Sequence, residues 1–289
     1  MHFFNPPPAT RVRWNMFSDT PLPPEEPAGQ NPPDGAILDY YLNRNAKEVK
    51  LEIGNDKNEI VRRFASSDKA EVIDTTAIPH PTYWIRPPQH LSTLAGQHRF
   101  IWDLRHEPPP GSEREFAIAA VYRNTPSGPH GTFVNPGRYT VRLTVDGAVH
   151  ERPLDVRLDP RVIFDAADLQ LQTDNSLACY RGYLRLQKMR ESIDALLQNR
   201  AMLKKNAQRE ELLKALRGSG LPGNPDLLYG SITVTSIAKE TIVGLQNKFL
   251  YLMNVLQSVE ARPTQQAIAG VRALEEIVEA LSKRWEALR

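Results

Sequence analysis

Cysteine is nearly missing from this chain. Cys179 is the one thiol in 289 residues, which excludes an internal disulfide and any site built from several thiolates. An excess of charge of one sign is missing too. Lys and Arg number 36 against 34 Asp and Glu, a net charge of +2, too even for a protein that holds nucleic acid by its field alone. No apolar run approaches the ~20 residues of a membrane span, so neither nucleic acid nor a bilayer crossing is expected. The start, Met1-His2-Phe3-Phe4-Asn5-Pro6, lacks the basic residues and long apolar stretch of a signal peptide. The P-loop, HExxH and GxSxG patterns are missing. The histidines form no HxH or HxxxH pair, so no metal site and no cofactor is expected. No catalytic activity can be read from the residues.

The second half of the chain lacks what the first half holds. Of 24 prolines, 19 precede Arg138, and all seven histidines precede Glu151. Leu, Ala, Gln and Glu take over, and the composition changes near Asp159-Pro160. A domain boundary is expected there, dividing the chain into 1–34, 35–160 and 161–289.

Asn135 to Gly147 carries the strongest signal. A Pro-Gly turn leads into strict alternation, with Tyr139, Val141, Leu143 and Val145 on one face, and Asp146-Gly147 closes it. That is a half-buried antiparallel strand entering a hairpin. Its partner is expected over Val149 to Leu158, with Leu154, Val156 and Leu158 inward. Further strands are expected at Ala36 to Leu42, Val49 to Ile53, Ile60 to Phe64, Gln97 to Leu104 and Phe116 to Tyr122. About seven short strands between frequent turns predict an immunoglobulin-like antiparallel β-sandwich. Residues 1–34, studded with Pro6-Pro7-Pro8, Pro23-Pro24 and Pro32-Pro33, read as an extended linker. Arg11, Arg13, Trp14 and Phe17 in it predict contact with this chain or a neighbour.

From Asp165, a plausible N-cap, the period becomes helical. One helix is expected from Ala166 to about Ala207, with Leu186, Met189, Ile193, Leu196 and Leu203 on its apolar face. The Gly/Pro stretch at 218–225 breaks it. Residues 231–237 are β-branched and ambiguous, and the next helix is expected to begin near Ser236. Its stripe runs Ile242, Leu245, Phe249, Leu252, Leu256 and Val259. After Pro263, suited to a first helical turn, the stripe repeats from Ala267 to Leu288. Two such stripes joined by a short break predict antiparallel packing, and with the first helix a three-helix bundle. The fold class is therefore α+β, a sandwich followed by a bundle.

Several clusters invite a chemical reading. Asp103-Leu104-Arg105-His106-Glu107 gathers ionisable groups, but on an extended strand Asp103 and Arg105 share a face and His106 takes the other. A sheet-edge ion pair is the favoured account. Asp56-Lys57-Asn58-Glu59 fits a hairpin turn better than a calcium loop. Cys179 fits a small buried hydrophobe rather than a nucleophile. Gly218 to Gly223 spells GxGxxG, yet a helical segment precedes it and prolines follow, so a loop is expected. Tyr83, Trp84, Trp102 and Tyr122 are either core aromatics or a platform for stacking a sugar.

Four stretches together resemble a known family. They are Asp19 to Leu42, Gly96-Gln97-His98-Arg99-Phe100-Ile101-Trp102-Asp103-Leu104-Arg105, the Asn135–Gly147 strand, and Val259-Glu260-Ala261-Arg262-Pro263-Thr264. They resemble the region that follows the β-propeller in large bacterial sortilin-like, BNR (Asp-box) repeat "glycosyl hydrolase" proteins. The sandwich also resembles the Ig-like module of flagellar hook-capping (FlgD-type) proteins. The resemblance covers nearly the whole chain but no propeller, so the glycosyl hydrolase label does not transfer and no enzyme is expected. It implies an accessory module that docks on an upstream propeller or another protein through Arg11, Arg13 and Trp14. Residues 1–34 would then be the linker from that missing domain. A carbohydrate-binding module of a glycoside hydrolase is the alternative. The resemblance implies an extracellular or periplasmic setting; apart from it, a cytoplasmic one is expected. A chain that opens at Met1 without a signal peptide looks, on this resemblance, like a fragment or a split gene.

Overall fold

The computed structural model describes residues 1–13, 23, 25–27, 29, 32–69, 72–76, 78, 81–116, 122–199, 207–223 and 241–288. The strands are β1 (His2–Phe3), β2 (Ala9–Arg11), β3 (Ala36–Leu42), β4 (Val49–Gly54), β5 (Ile60–Ala65), β6 (Gly96–Trp102), β7 (Glu115–Phe116), β8 (Ser127–Gly128), β9 (Gly137–Val145) and β10 (Ala148–Leu158). The helices among the described residues are α1 (Ala166–Gln198), α2 (Ala207–Arg217), α3 (Ile242–Gln257) and α4 (Gln265–Leu288). The class is mixed α and β. No helix among the described residues is long and apolar enough to cross a membrane.

The chain divides into two compact units. The first holds residues 1–107, 116–127 and 133–163; the second holds 108–115, 128–132 and 164–289. The expected boundary at 160 misses the two loop pieces, because composition follows chain order and these loops leave it.

In the first unit one sheet runs β1-β3-β6 and another β2-β10-β9-β4-β5. The β9–β10 hairpin pairs Val145 with Ala148 and Tyr139 with Leu154, and β4 flanks β9 with Ile53 opposite Val141. Tyr139, Val141, Leu143 and Val145 are all buried, as are Leu154 and Val156. They share one cluster with Leu38, Tyr40, Phe100 and Trp102 of the other sheet. The β4–β5 turn uses Asn55, whose Oδ1 accepts from the amides of Lys57 and Glu59.

Two strands lie where a linker was expected. His2 and Phe3 pair antiparallel with Tyr41 and Tyr40, and Ala9 to Arg11 runs parallel to Val156–Leu158. Phe3, Ala9 and Arg11 are buried. The opening residues thus belong to both sheets, and the parallel pair departs from the all-antiparallel expectation. Strands of two and three residues between prolines carry no readable alternation, because proline donates nothing to a ladder. Trp14 and Phe17 fall outside the described residues, as do 117–121 of the expected strand Phe116 to Tyr122.

In the second unit Asp165 caps α1, its carboxylate accepting from the Ala167 amide at 2.7 Å. Thr241 caps α3 through Oγ1 to the Gly244 amide. Thr264, one residue past Pro263, caps α4 through Oγ1 to the Ala267 amide, so Pro263 precedes the first turn instead of occupying it. The expected first helix ends at Gln198, and α2 follows as a separate short helix. Residues 231–237 and Ser236 lie outside the described residues. The stripes meet in one cluster: Leu186, Met189 and Ile193 of α1, Phe249 and Leu256 of α3, and Val271, Val278 and Trp285 of α4. Val259, expected on that face, is exposed because α3 ends at Gln257.

Candidate functional site

Three arginines converge on one ring in the first unit. Phe133 sits beside the end of β6: Arg105 and Phe133 form an antiparallel bridge, and the Val134 amide donates to the Leu104 carbonyl. Over that ring lie the guanidinium carbons of Arg105 at 3.4 Å from the centroid, Arg13 at 4.8 Å and Arg11 at 5.5 Å. A fourth, Arg86, ion-pairs with Asp34 at 3.0 Å and donates to Asn124 Oδ1. A guanidinium flat on an aromatic face gains about 0.5–2 kcal/mol, depending on how dry the pair is.

Burial pushes the Arg105 guanidinium down to about 10, with Asp103 and Asp34 holding it up and Arg13 and Arg86 adding to the fall. It therefore remains charged at neutral pH. Arginine supplies fixed positive charge and planar donors, not proton transfer. Phe133 is itself buried, and its ring is a seat for these guanidinium groups.

The interface residues read from the sequence separate here. Arg11 is buried and its Nη1 donates to the Val134 carbonyl at 2.8 Å, so it is a structural tie and not an exposed contact. Arg13 stays half-buried on the ring. Arg86, Arg105 and Phe133 were not singled out as interface residues. Arg105 and Phe133 are far apart in sequence, and Phe133 closes a Gly/Pro loop with no periodicity to mark it.

The four aromatics also separate. Trp102 is 0% exposed, meets Tyr139 edge-on at 5.8 Å and donates from Nε1 to the Arg105 carbonyl. It is core, and no sugar can stack on it. Tyr83, Trp84 and Tyr122 do gather, with Tyr83 6.3 Å from each of the others. Their planes cross at 84° and 47°, so they form a cluster rather than a flat platform.

The Asp103–Glu107 segment is not strand. β6 ends at Trp102, and Leu104 takes φ +57, a turn that ends the parity of faces. Arg62 of β5 then reaches across, donating to the His106 carbonyl and pairing with Glu107 at 3.0 Å. Burial, with Arg62 nearby, pushes the His106 imidazole down to about 4 from 6.5. Burial raises Glu107, opposed by Arg62.

Between about pH 6.5 and pH 4 the unfolded chain binds a proton at His106 that the folded chain refuses. Stability of the first unit should therefore fall as pH drops through that window, by up to about 3 kcal/mol. Glu107 works in the opposite direction, since its raised pKa favours protonation in the fold. Urea midpoints at about pH 7 and pH 4.5 should lie closer together in His106→Asn than in the wild type. An unchanged difference would remove His106 from this account.

Cys179 is 0% exposed in the helical core, and burial pushes its thiol up to about 12, with Glu275 adding to the rise. It packs as a hydrophobe. The Gly218–Gly223 loop binds through its main chain, Gly218 and Gly220 carbonyls accepting from Arg217 and the Gly223 amide donating to Asn247. Among known proteins, no family model and no curated protein matches this chain.

Proposed function

We propose that the chain is a non-catalytic docking module, an Ig-like β-sandwich followed by a helical bundle, that binds a sortilin-like β-propeller in an extracytoplasmic setting. The observation that carries this reading is the stacking of Arg13 and Arg105 on Phe133, with Arg86 near enough to act on the charge of Arg105. Arginine and aromatic residues dominate the binding energy of protein interfaces, and here one of the sequence-selected interface residues, Arg13, joins two others from distant segments. Of the Asp103–Glu107 cluster, the one a catalytic reading would use, Glu107 is engaged with Arg62 at 3.0 Å. The Ig-like assignment draws support from Tyr139, whose hydroxyl donates four residues back to the Asn135 carbonyl at 2.7 Å, as in the tyrosine corner of such domains.

The test is co-purification with a separately expressed sortilin-like propeller. Association is expected, and Arg13→Glu with Arg105→Glu should weaken it at least about tenfold, a hot-spot effect. Circular dichroism should show both proteins folded. No association of the wild-type pair would overturn the reading.

The second reading, a carbohydrate-binding module, has the Tyr83–Trp84–Tyr122 cluster in its favour, with Tyr122 41% exposed. Glycan-array binding lost in Trp84→Ala would select it over the first.

A further inference from the structure

Residues 108–112, Pro-Pro-Pro-Gly-Ser, belong to the second unit although the chain on either side of 108–115 does not. Their main chain is held by two buried side chains of α1. The Tyr183 hydroxyl donates to the Pro110 carbonyl at 2.9 Å, and Arg190 Nη2 donates to the Gly111 carbonyl at 2.7 Å. Pro109 is buried, and the Ser112 hydroxyl closes the turn on the Pro109 carbonyl. Gly111 takes φ +66, and a Cβ there would stand 2.6 Å from both Arg190 Nη2 and Gln187 Nε2. The seat is thus shaped for Pro-Pro-Gly and against other residues at its third place.

The donor set is unusual for a loop anchor. Arg190 is 3% exposed, and a buried guanidinium is costly unless it holds an acceptor. Its hydrogen bonds run to a main-chain carbonyl and to Gln187 Oε1, which also accepts from Gln246 Nε2. Arg190 Nη1 and Gln246 Oε1, a donor and an acceptor inside buried side chains, have no hydrogen-bond partner among the described residues. The resident turn leaves part of the seat's polar capacity unused. Proline-rich segments present free carbonyls and little conformational entropy to lose, which is how tyrosine-lined grooves select them.

We propose that the face of α1 bearing Tyr183, Gln187 and Arg190 is a binding site for a Pro-Pro-Gly turn. Residues 108–112 occupy it in cis, and a partner protein presenting the same turn takes it in trans when they leave.

The probe is a fluorescein-labelled peptide of residues 107–114, Glu-Pro-Pro-Pro-Gly-Ser-Glu-Arg, followed by anisotropy on the full chain. Gly111→Val, which expels the resident turn, should bind it at least about tenfold more tightly than the wild type. Adding Arg190→Met should remove that gain. A peptide with Gly replaced by Val should not bind. Should Gly111→Val fail to fold, replacing 108–112 by Gly-Gly-Ser-Gly-Ser empties the seat without strain, and the same gain is expected. The proposal is overturned by absence of binding in whichever opened variant folds, by binding indifferent to Arg190, or by self-association of the chain without peptide binding.

Discussion

Val141→Asp leaves the first unit unfolded. Val141 lies at the middle of β9, 0% exposed, opposite Ile53 on one side and Arg152 on the other. Its side chain points into the cluster formed with Leu143, Leu51 and Phe100. A carboxylate there loses its water beside an arginine already committed to the Phe3 and Glu151 carbonyls, which costs on the order of 5 kcal/mol. That approaches the whole stability of an ordinary domain. The core of the helices is a separate cluster. Helical ellipticity should therefore persist while the near-ultraviolet signal of Trp102 and Tyr139 collapses. A cooperative melt at the wild-type temperature would contradict the burial assigned to this strand.

The second large effect is expected in the helices. Gly182 of α1 faces Phe249 of α3, and an added Cβ would fall inside the contact distance of the ring atoms Cζ and Cε1. Phe249 is 0% exposed, and with Gly182 it lines a cleft of about 290 Å³. Gly182→Leu should destabilise the helical unit by about 1–3 kcal/mol, through overpacking. Gly182→Ala and Phe249→Leu should each destabilise, and together should cost less than their sum, since the smaller ring makes room for the methyl. Thermal denaturation of the four proteins gives the coupling energy. Additive losses would mean that the two residues do not share a contact.

Such a glycine shows why some of the fold was legible and some was not. Tyr139, Val141, Leu143 and Val145 announce their face by period alone, and the burial follows it. The same holds for Leu186, Met189 and Ile193, where the helical period selects core residues. Gly182 gives no such sign, because its importance lies in a ring contributed by another helix. The Arg105–Phe133 contact is also non-local. Leu104, in turning the chain with positive φ, cancels the strand parity by which Asp103, Arg105 and His106 were read. Trp102 and Phe100 share the buried face of β6 by alternation, but the depth of Trp102 depends on Tyr139 in the other sheet. Short-range pattern fixes a face; what lies opposite needs the fold.

The seam between the first residues and the last strand of the β unit also has a consequence for biosynthesis. Arg152 donates to the Phe3 carbonyl across 149 residues of chain, and β2 finds its partner only in β10. β1 can pair with β3 soon after both leave the ribosome, whereas β2 must wait until residue 158 has emerged. At about 5–20 residues per second that wait lasts roughly 7 to 30 seconds. During it the edge of a nascent sheet stands open, as expected for a fold of high contact order. Pro6, Pro7 and Pro8, which offer no amide hydrogen, make the waiting segment a poor template for pairing with any other chain.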